Sequence, residues 1–575
     1  MRRAAALIPA WIRQKLSFEI LFFAIFAVAV ILRFAVLDLK LFHHDEAIHA
    51  WFSFRLLTEG IWSYDPSYHG PVLYYVTAGM FSLLGESDLV GRLVPSLLGC
   101  LVILLLLPLQ RHGFLGRRET LVAALFLAVS PDMVYFSRFL RHDIFMLFFT
   151  MLLLVAFFLY LDTGRGRYVF LAALGIAGGL CSKEEFPLIL AIFGLYFVYA
   201  VWQGKFRLPA AWKSHVAIGT ITVVAIMALL YSSLGAHPEI LMTGPLRALE
   251  HWTAMHEQCR LCGPPYFYVI LFLLYELPIF LLALYGAGQF LASEWGRGGP
   301  LRRLVDRIRG RRDEPDMEHL VSTSLAQMGA GTGILKQEEF TRFCILWMVF
   351  SMAAYGYIGE KVPWLILQQL LPMVFVAVYR LTDTKVLIAV ASTIFLILCT
   401  WHVAFVPADV NEPIVQVQNS EQMREVMAQI RNADRVAISS KNYWPLPWYF
   451  RGEAGKNISY VSRRVDEDIL FREPYDMIIA YDVESYPSLS GYEKHTYRLN
   501  YWFSWYDIKQ SENKYRVLDY YFLRDGKVGS MNLDIFTREN ATGEMPPTPV
   551  PDSRQGIKDS SPLPGEFEGS PAGSG

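Results

Sequence analysis

Apolar runs about 20 residues long, the length a helix needs to cross a bilayer, recur along the chain up to Val406 and then stop. The first, Phe18 to Leu37, is followed by no convincing small-residue cleavage site, so it reads as a retained membrane helix rather than a signal peptide. Window hydropathy predicts about eleven spans, centred near residues 28, 100, 129, 152, 174, 194, 224, 277, 349, 372 and 394. The span at 174 is the shortest, and Pro71 to Leu84 reads as an interfacial helix rather than a crossing. Past residue 410 the pattern changes to short alternating elements. A polar helix-like stretch, Glu421–Arg431, precedes strand-like segments at Arg435–Ser440, Ile458–Ser462, Asp476–Tyr481 and Val517–Leu523. The predicted organisation is a polytopic α-helical membrane domain over 1–408 whose first outer loop is 38–91. A small α/β domain over 409–540 follows, then a Pro/Gly/Ser-rich disordered tail over 541–575. No internal repeat is visible.

Charge supplies an orientation. Arg2, Arg3, Arg13 and Lys15 precede the first span. With that end in the cytoplasm, the loops holding Arg111, Arg117 and Arg118, then Arg165 and Arg167, then Lys205, Arg207 and Lys213, and finally Arg297–Arg312 all fall on the same side. That is the positive-inside pattern, and the long loop Asp38–Gly91 on the other side is acid-rich. The expectation is a multi-pass plasma-membrane protein with a cytoplasmic N-terminus and an extracytoplasmic C-terminal domain. Composition agrees: the chain has 575 residues, 54% hydrophobic and 14% aromatic, with a mean hydropathy of +0.31, too apolar for an ordinary soluble protein. The net charge of −1 gives no reason to expect nucleic acid as a partner. Of six cysteines, four lie in or beside apolar spans, where cysteine behaves as a small hydrophobe.

The same topology puts five polar clusters outside: HHDEAIH from His43, SRFLRHD from Ser137, SKEE from Ser182, HEQCRLC from His256 and GEKVPW from Gly359. Nucleotide sugars and ATP are scarce there, so a group transfer needs a donor carried by the lipid, and a polyprenyl-phosphate sugar fits. Breaking its glycosyl–phosphate bond builds negative charge on a leaving phosphate, which fixed cations stabilise. A carboxylate on the opposite face of the sugar takes the acceptor's proton. Asp45 and Glu46 are the candidate catalytic acids, and Arg138, Arg141, Lys183 and Lys361 the candidate phosphate ligands. His44, His49, His69, Asp143, Glu184, His256, Glu360 and Trp364 are candidate substrate-lining or supporting residues. Each has a plainer reading: Arg138 and Arg141 as snorkelling interface residues, Lys183 paired with Glu184, Lys361 paired with Glu360, and Trp364 as an interface aromatic. Adjacent helical side chains point about 100° apart, so Asp45 and Glu46 are expected to divide their roles. Glu46 suits the cap of the following helix.

In order, an acidic pair after the first span, GPVLYY (Gly70–Tyr75), R-x-x-R-x-D, S-K-E and E-K-x-P-W resemble the GT-C superfamily of membrane glycosyltransferases. The branch is that of the dolichyl-phosphate-mannose protein mannosyltransferases and lipid A aminoarabinose transferases (family 39-like). Within it the chain looks most like a prokaryotic flippase-activity-associated, mannosyltransferase-like family. The resemblance spans residues 18 to about 405. It implies a GT-C fold and an inverting, mannosyltransferase-like hexosyl transfer from a polyprenyl-phosphate sugar, with the acceptor a protein, lipid or glycan. It puts Asp45 in the position of the first-loop catalytic acid and Lys361 in that of a donor-phosphate lysine. The first loop lacks the D-x-D of metal-dependent oligosaccharyltransferases and the chain has no W-W-D-Y-G-like motif, so no cofactor or catalytic metal is expected. His251, His256, Cys259 and Cys262 have a spacing that zinc could use, that a Cys259–Cys262 disulfide could use, or that serves neither. The competing function is a transporter or flippase-associated protein for lipid-linked sugars. It fits less well, because transporters show paired repeats with polar groups near the bilayer midplane.

Overall fold

The computed structural model describes residues 10–60, 63–206, 209–258, 263–296, 333–406, 412–440, 442–461, 475–482, 485–502, 520–521 and 529–538. The chain forms two compact units: one of residues 1–37, 55–259 and 264–405, the other of residues 38–54, 260–263 and 406–575. The boundary falls after Phe54, inside the helix His44–Glu59 and within the segment 38–91. Residues 38–54 group with the second unit and 55–91 with the first.

The first unit is helical. Among the described residues six helices are long and apolar enough to cross a membrane: Ser17–Phe34, Asp88–Arg111, His142–Thr163, Trp212–Tyr231, Leu277–Gly296 and Asp383–Phe405. A bent pair, Arg117–Val129 with Pro131–Ser137, turns through 58° and makes a seventh if counted as one. Val72–Leu84, Gly166–Leu180, Phe186–Trp202 and Pro363–Ala377 are apolar but shorter. Two of the expected span centres, 129 and 277, fall at helix breaks, which window hydropathy cannot register.

The break at 129–131 shows how buried backbone is satisfied. Pro131 has no N–H, so it frees the carbonyl four residues back, Leu127. The fully buried Arg33 guanidinium takes that carbonyl at 2.7 Å, Ala128 O at 3.2 Å and Ser137 Oγ at 3.2 Å. Thr400 Oγ1 takes Val129 O at 2.7 Å. A β-carbon at Gly99 would lie 2.1 Å from Ser137 Oγ, so glycine leaves room for this knot. Glu276, at the second break, accepts from Ser130 Oγ at 2.5 Å and from the Asp132 amide at 3.1 Å.

The second unit holds a five-stranded sheet. Strands β1 (Val436–Ile438), β2 (Ile458–Tyr460), β3 (Met477–Tyr481), β4 (Tyr492–Trp502) and β5 (Gly529–Arg538) lie in the order β2-β1-β3-β5-β4. β1 runs parallel to β2 and β3, and β5 runs antiparallel to both its neighbours. Val436, Ile438, Met477 and Ile479 pack with Met423, Val426, Met427 and Ile430 of the amphipathic helix Met423–Asn432. Ala437, Ile478 and Ala480 pack on the other face with Tyr475, Tyr486 and Phe536. Burial on both faces explains why MIIAY carries no polar alternation. The expected strand at Val517–Leu523 is not seen: its described residues, Tyr520 and Tyr521, are helical, and the rest lie outside the described residues. Aromatic residues favour strands only where a pleated neighbour receives them. The expected tail over 541–575 also lies outside the described residues.

Candidate functional site

In the helical unit, five separate segments meet in one cluster of charged, polar and aromatic groups. Gly70 starts it. Its amide donates to Ser182 O at 3.2 Å and the Val72 amide to Cys181 O at 3.1 Å. A β-carbon on Gly70 would lie 2.2 Å from Cys181 O, so only glycine lets GPVLYY lie against SKEE. His142 Nε2 bonds Gly70 O at 3.0 Å, tying in the R-x-x-R-H-D segment.

The cations follow. Asp143 accepts from Arg141 Nε at 2.9 Å through one oxygen and from Lys183 Nζ at 2.9 Å through the other. Glu185 lies 3.3 Å from the same ammonium. Lys183 is 2% exposed and Asp143 5%. Burial pulls the Lys183 ammonium down, but Asp143 and then Glu185 outweigh it and hold the group above its ordinary value. Glu185 is pushed up by burial, against the pull of Lys183. The Arg141 guanidinium lies over the Trp364 ring, 3.5 Å from its centroid. Tyr268 donates to Val362 O at 3.2 Å, beside Trp364 in the GEKVPW segment.

Next to these, Glu184 accepts from Tyr64 Oη at 2.9 Å and lies 2.8 Å from His69 Nδ1. Burial raises the Glu184 carboxyl, but His69 and Tyr64 overcome that and keep it below its ordinary value. His69, held at φ 65°, stacks edge-on against His142 with centroids 5.2 Å apart. The structure thus brings Arg141, Asp143, Lys183, Glu184, His69 and Trp364 together. Tyr64, His142 and Tyr268 were not anticipated. His142 was legible inside the motif, whereas the two tyrosines carry no sequence signal.

Arg138 and Lys361 are engaged differently. Arg138 donates to the carbonyls of Leu32, Arg33, Ala35 and Val36 at 2.6–3.2 Å, closing the end of the first helix, and lies over the Phe405 ring at 4.7 Å. Lys361 donates to Tyr355 O and Gly356 O at 3.0 Å each, and to Ile358 O, at the end of the helix Gly333–Tyr357. Burial depresses its ammonium. Both cations meet the negative end of a helix dipole.

The acids belong to the second unit. His43 precedes the helix His44–Glu59. Its Nδ1 accepts the Asp45 amide at 3.0 Å, so Nε2 carries the proton and donates to Gln416 O. Glu46, 1% exposed, accepts the His43 amide at 2.9 Å, the reciprocal bond of a capping box. Asn419 and Gln418 donate to Phe42 O and Leu41 O at 2.6 and 2.9 Å, fixing the segment just before it. Asp45 and His44 are half-buried. His49 is buried, and its carbonyl accepts from Ser53 Oγ. Cys259, Cys262 and the His256 side chain lie outside the described residues. Among the described residues no group of three or more His, Cys, Asp or Glu is placed to hold a metal.

The fold has counterparts among solved structures. ArnT from Cupriavidus metallidurans bound to undecaprenyl phosphate superposes with a TM-score of 0.55 at 13% identity, covering 92% of this chain and 99% of that one. The apo state of the same protein gives 0.56, again at 13% identity, with coverages of 92% and 100%. The oligosaccharyltransferase AglB from Archaeoglobus fulgidus, in complex with an inhibitory peptide and a dolichol-phosphate, gives 0.50 at 12% identity, with coverages of 81% and 70%. Residues 68–231 match the family model described as dolichyl-phosphate-mannose-protein mannosyltransferase. That stretch contains GPVLYY, the Arg141–Asp143 pair and Lys183. No curated protein sequence matches the chain. Fold and family match agree with the GT-C glycosyltransferase resemblance.

Proposed function

We propose that this chain is an integral-membrane glycosyltransferase that moves a sugar from a polyprenyl-phosphate donor to an acceptor at the extracytoplasmic face, with inversion. The observation that supports it most is the Arg141–Asp143–Lys183 trio. Two buried cations are held in place by one carboxylate before any ligand arrives, and Trp364 lies over the guanidinium. Such a pair stabilises charge developing on a leaving phosphate without having to reorganise, and arginine can grip two phosphate oxygens at once. Asp143 sets the spacing of the two cations, and Glu184 fixes His69 beside them. Asp45 is assigned the base on the family resemblance, and the capping bond of Glu46 leaves that role to its neighbour. Arg138 and Lys361 are reassigned to closing helix ends. The undecaprenyl phosphate and dolichol-phosphate bound by the structural counterparts make a polyprenyl phosphate the natural carrier here. All eleven expected crossings are kept in this reading, the short and broken helices included.

The test is a lipid extract from a strain lacking the protein, set beside a purified transfer assay. A polyprenyl-phosphate sugar should accumulate in the strain, and the purified chain should release polyprenyl phosphate from it. A chain that moves the intact lipid-linked sugar between leaflets without breaking the glycosyl bond would favour the transporter reading, to which the buried Asp132 and Glu276 at two helix breaks also lend themselves.

A further inference from the structure

A cavity of about 340 Å³ opens in the helical unit, between the first helix and the turn that joins the helices Leu106–Arg111 and Arg117–Val129. Phe18, Phe22 and Phe23 of the first helix form its apolar wall, and Glu19, Arg111 and Arg117 its polar rim. Phe22 is fully buried, whereas Phe23 is 52% exposed on the surface that continues through Ile20 and Leu21, both at least half exposed. In a helix of this hydropathy that surface faces acyl chains. Arg111 ends the helix Leu106–Arg111 and Arg117 opens the helix Arg117–Val129, so the two cations come from both sides of a short turn. Among the described residues neither forms an ion pair, whereas the neighbouring Arg118 bonds Asp383 at 2.6 Å.

We infer that this cavity binds the headgroup of an anionic phospholipid, with Arg111 and Arg117 on the phosphate and one acyl chain along Phe23. Two positive charges against one carboxylate leave the rim cationic. The continuous apolar wall selects a lipid over a free phosphate, because a soluble anion makes no use of exposed phenylalanines beside the membrane. Basic pockets between membrane helices are built for this chemistry. The inference is independent of the transfer reaction, since none of these residues touches the cluster around Arg141.

The experiment uses the full chain purified in detergent, with lipid retention read by native mass spectrometry. Phosphatidylglycerol should be retained in a 1:1 adduct, while phosphatidylcholine with the same acyl chains and inorganic phosphate should not. Raising the salt should weaken retention. Arg111→Gln with Arg117→Gln should reduce phosphatidylglycerol affinity about thirtyfold, taking about 1 kcal/mol per cation near a lipid surface, and Arg118→Gln should leave it unchanged. Equal retention of the two lipids, binding of inorganic phosphate at similar strength, or an unaltered double variant would each overturn the assignment. Because the salt and lipid comparisons use the native chain, the result stands even if the double variant fails to fold.

Discussion

Around His43 the acids are positioned by main-chain hydrogen bonds, whereas around Asp143 the charges are positioned by one another. Glu46 accepts the His43 amide, the His43 ring accepts the Asp45 amide, and side chains from 418–419 hold the carbonyls just before it. The bonds to Asp45 and Glu46 themselves are local, although residues 416–419 brace the segment from far along the chain, and the Asp45 carboxylate stands half-buried at the first turn of a helix. The Arg141–Asp143–Lys183 trio is assembled from segments 40 residues apart and is almost completely buried. A caps-based acid can change chemistry with little cost to the fold. A buried ionic trio cannot lose a member without leaving a charge uncompensated.

The largest effect on transfer is expected at Asp45. Asp45→Asn is expected to lower transfer by about 10²–10⁴, the usual worth of a general base, with the protein folded and donor still bound. Full turnover in a purified assay would remove Asp45 from the mechanism. For the trio the ordering reverses, with stability and donor binding failing together. Lys183→Ala should cost about 3–5 kcal/mol of stability and abolish donor retention. Arg141→Lys should keep the fold and weaken the donor about tenfold or more, since an ammonium cannot grip bidentately or lie flat on Trp364. If Lys183→Ala binds donor normally, the trio is structural alone.

Arg138 and Lys361 test whether a cation near a helix end serves the helix or the substrate. Either alanine variant should lose about 1.5–3 kcal/mol, the worth of a charged hydrogen bond, with turnover per folded molecule unchanged. A turnover loss at constant stability would return them to the phosphate. The effect of pH through Glu184 should be smaller. Glu184 is held below its ordinary value, so its contribution is complete above about pH 4.5 and is lost as pH falls through the lower folded value. Lys183, held above its ordinary value, keeps its charge past pH 10.5. The Glu184 contribution to thermal stability should therefore be lost on the acid side, and Glu184→Gln should shrink that loss. Smallest of all, Glu46→Gln should shift stability by less than about 0.5 kcal/mol, because glutamine makes the same capping bond. A large loss of transfer in that variant would give the second acid a chemical role.

What could be read along the chain was whatever repeats or stands next to itself. Twenty-residue apolar runs, the acid pair opening a helix, the alternation of basic loops and the strands at 436–438, 458–460 and 477–481 all lie within one window of sequence. The breaks at Pro131 and Glu276 were invisible, because hydropathy averages across a kink and the compensating donor, Arg33, comes from about 95 residues away. Strand β4 interleaves charged and aromatic residues with no clean period of two and becomes a sheet only with its partner present, whereas in β5 Met531, Leu533 and Ile535 alternate with Asn532 and Asp534, a strand signal that was legible and passed over. Arg138 and Arg141 show the same limit most sharply. They are three residues apart and alike in sequence, yet one closes the first helix and the other lies over Trp364 beside Asp143. The sequence by itself determined which residue types stand at the helix ends. Only the tertiary structure decided which of them face carbonyls and which face carboxylates, because that depends on buried groups from distant segments that must each find a partner.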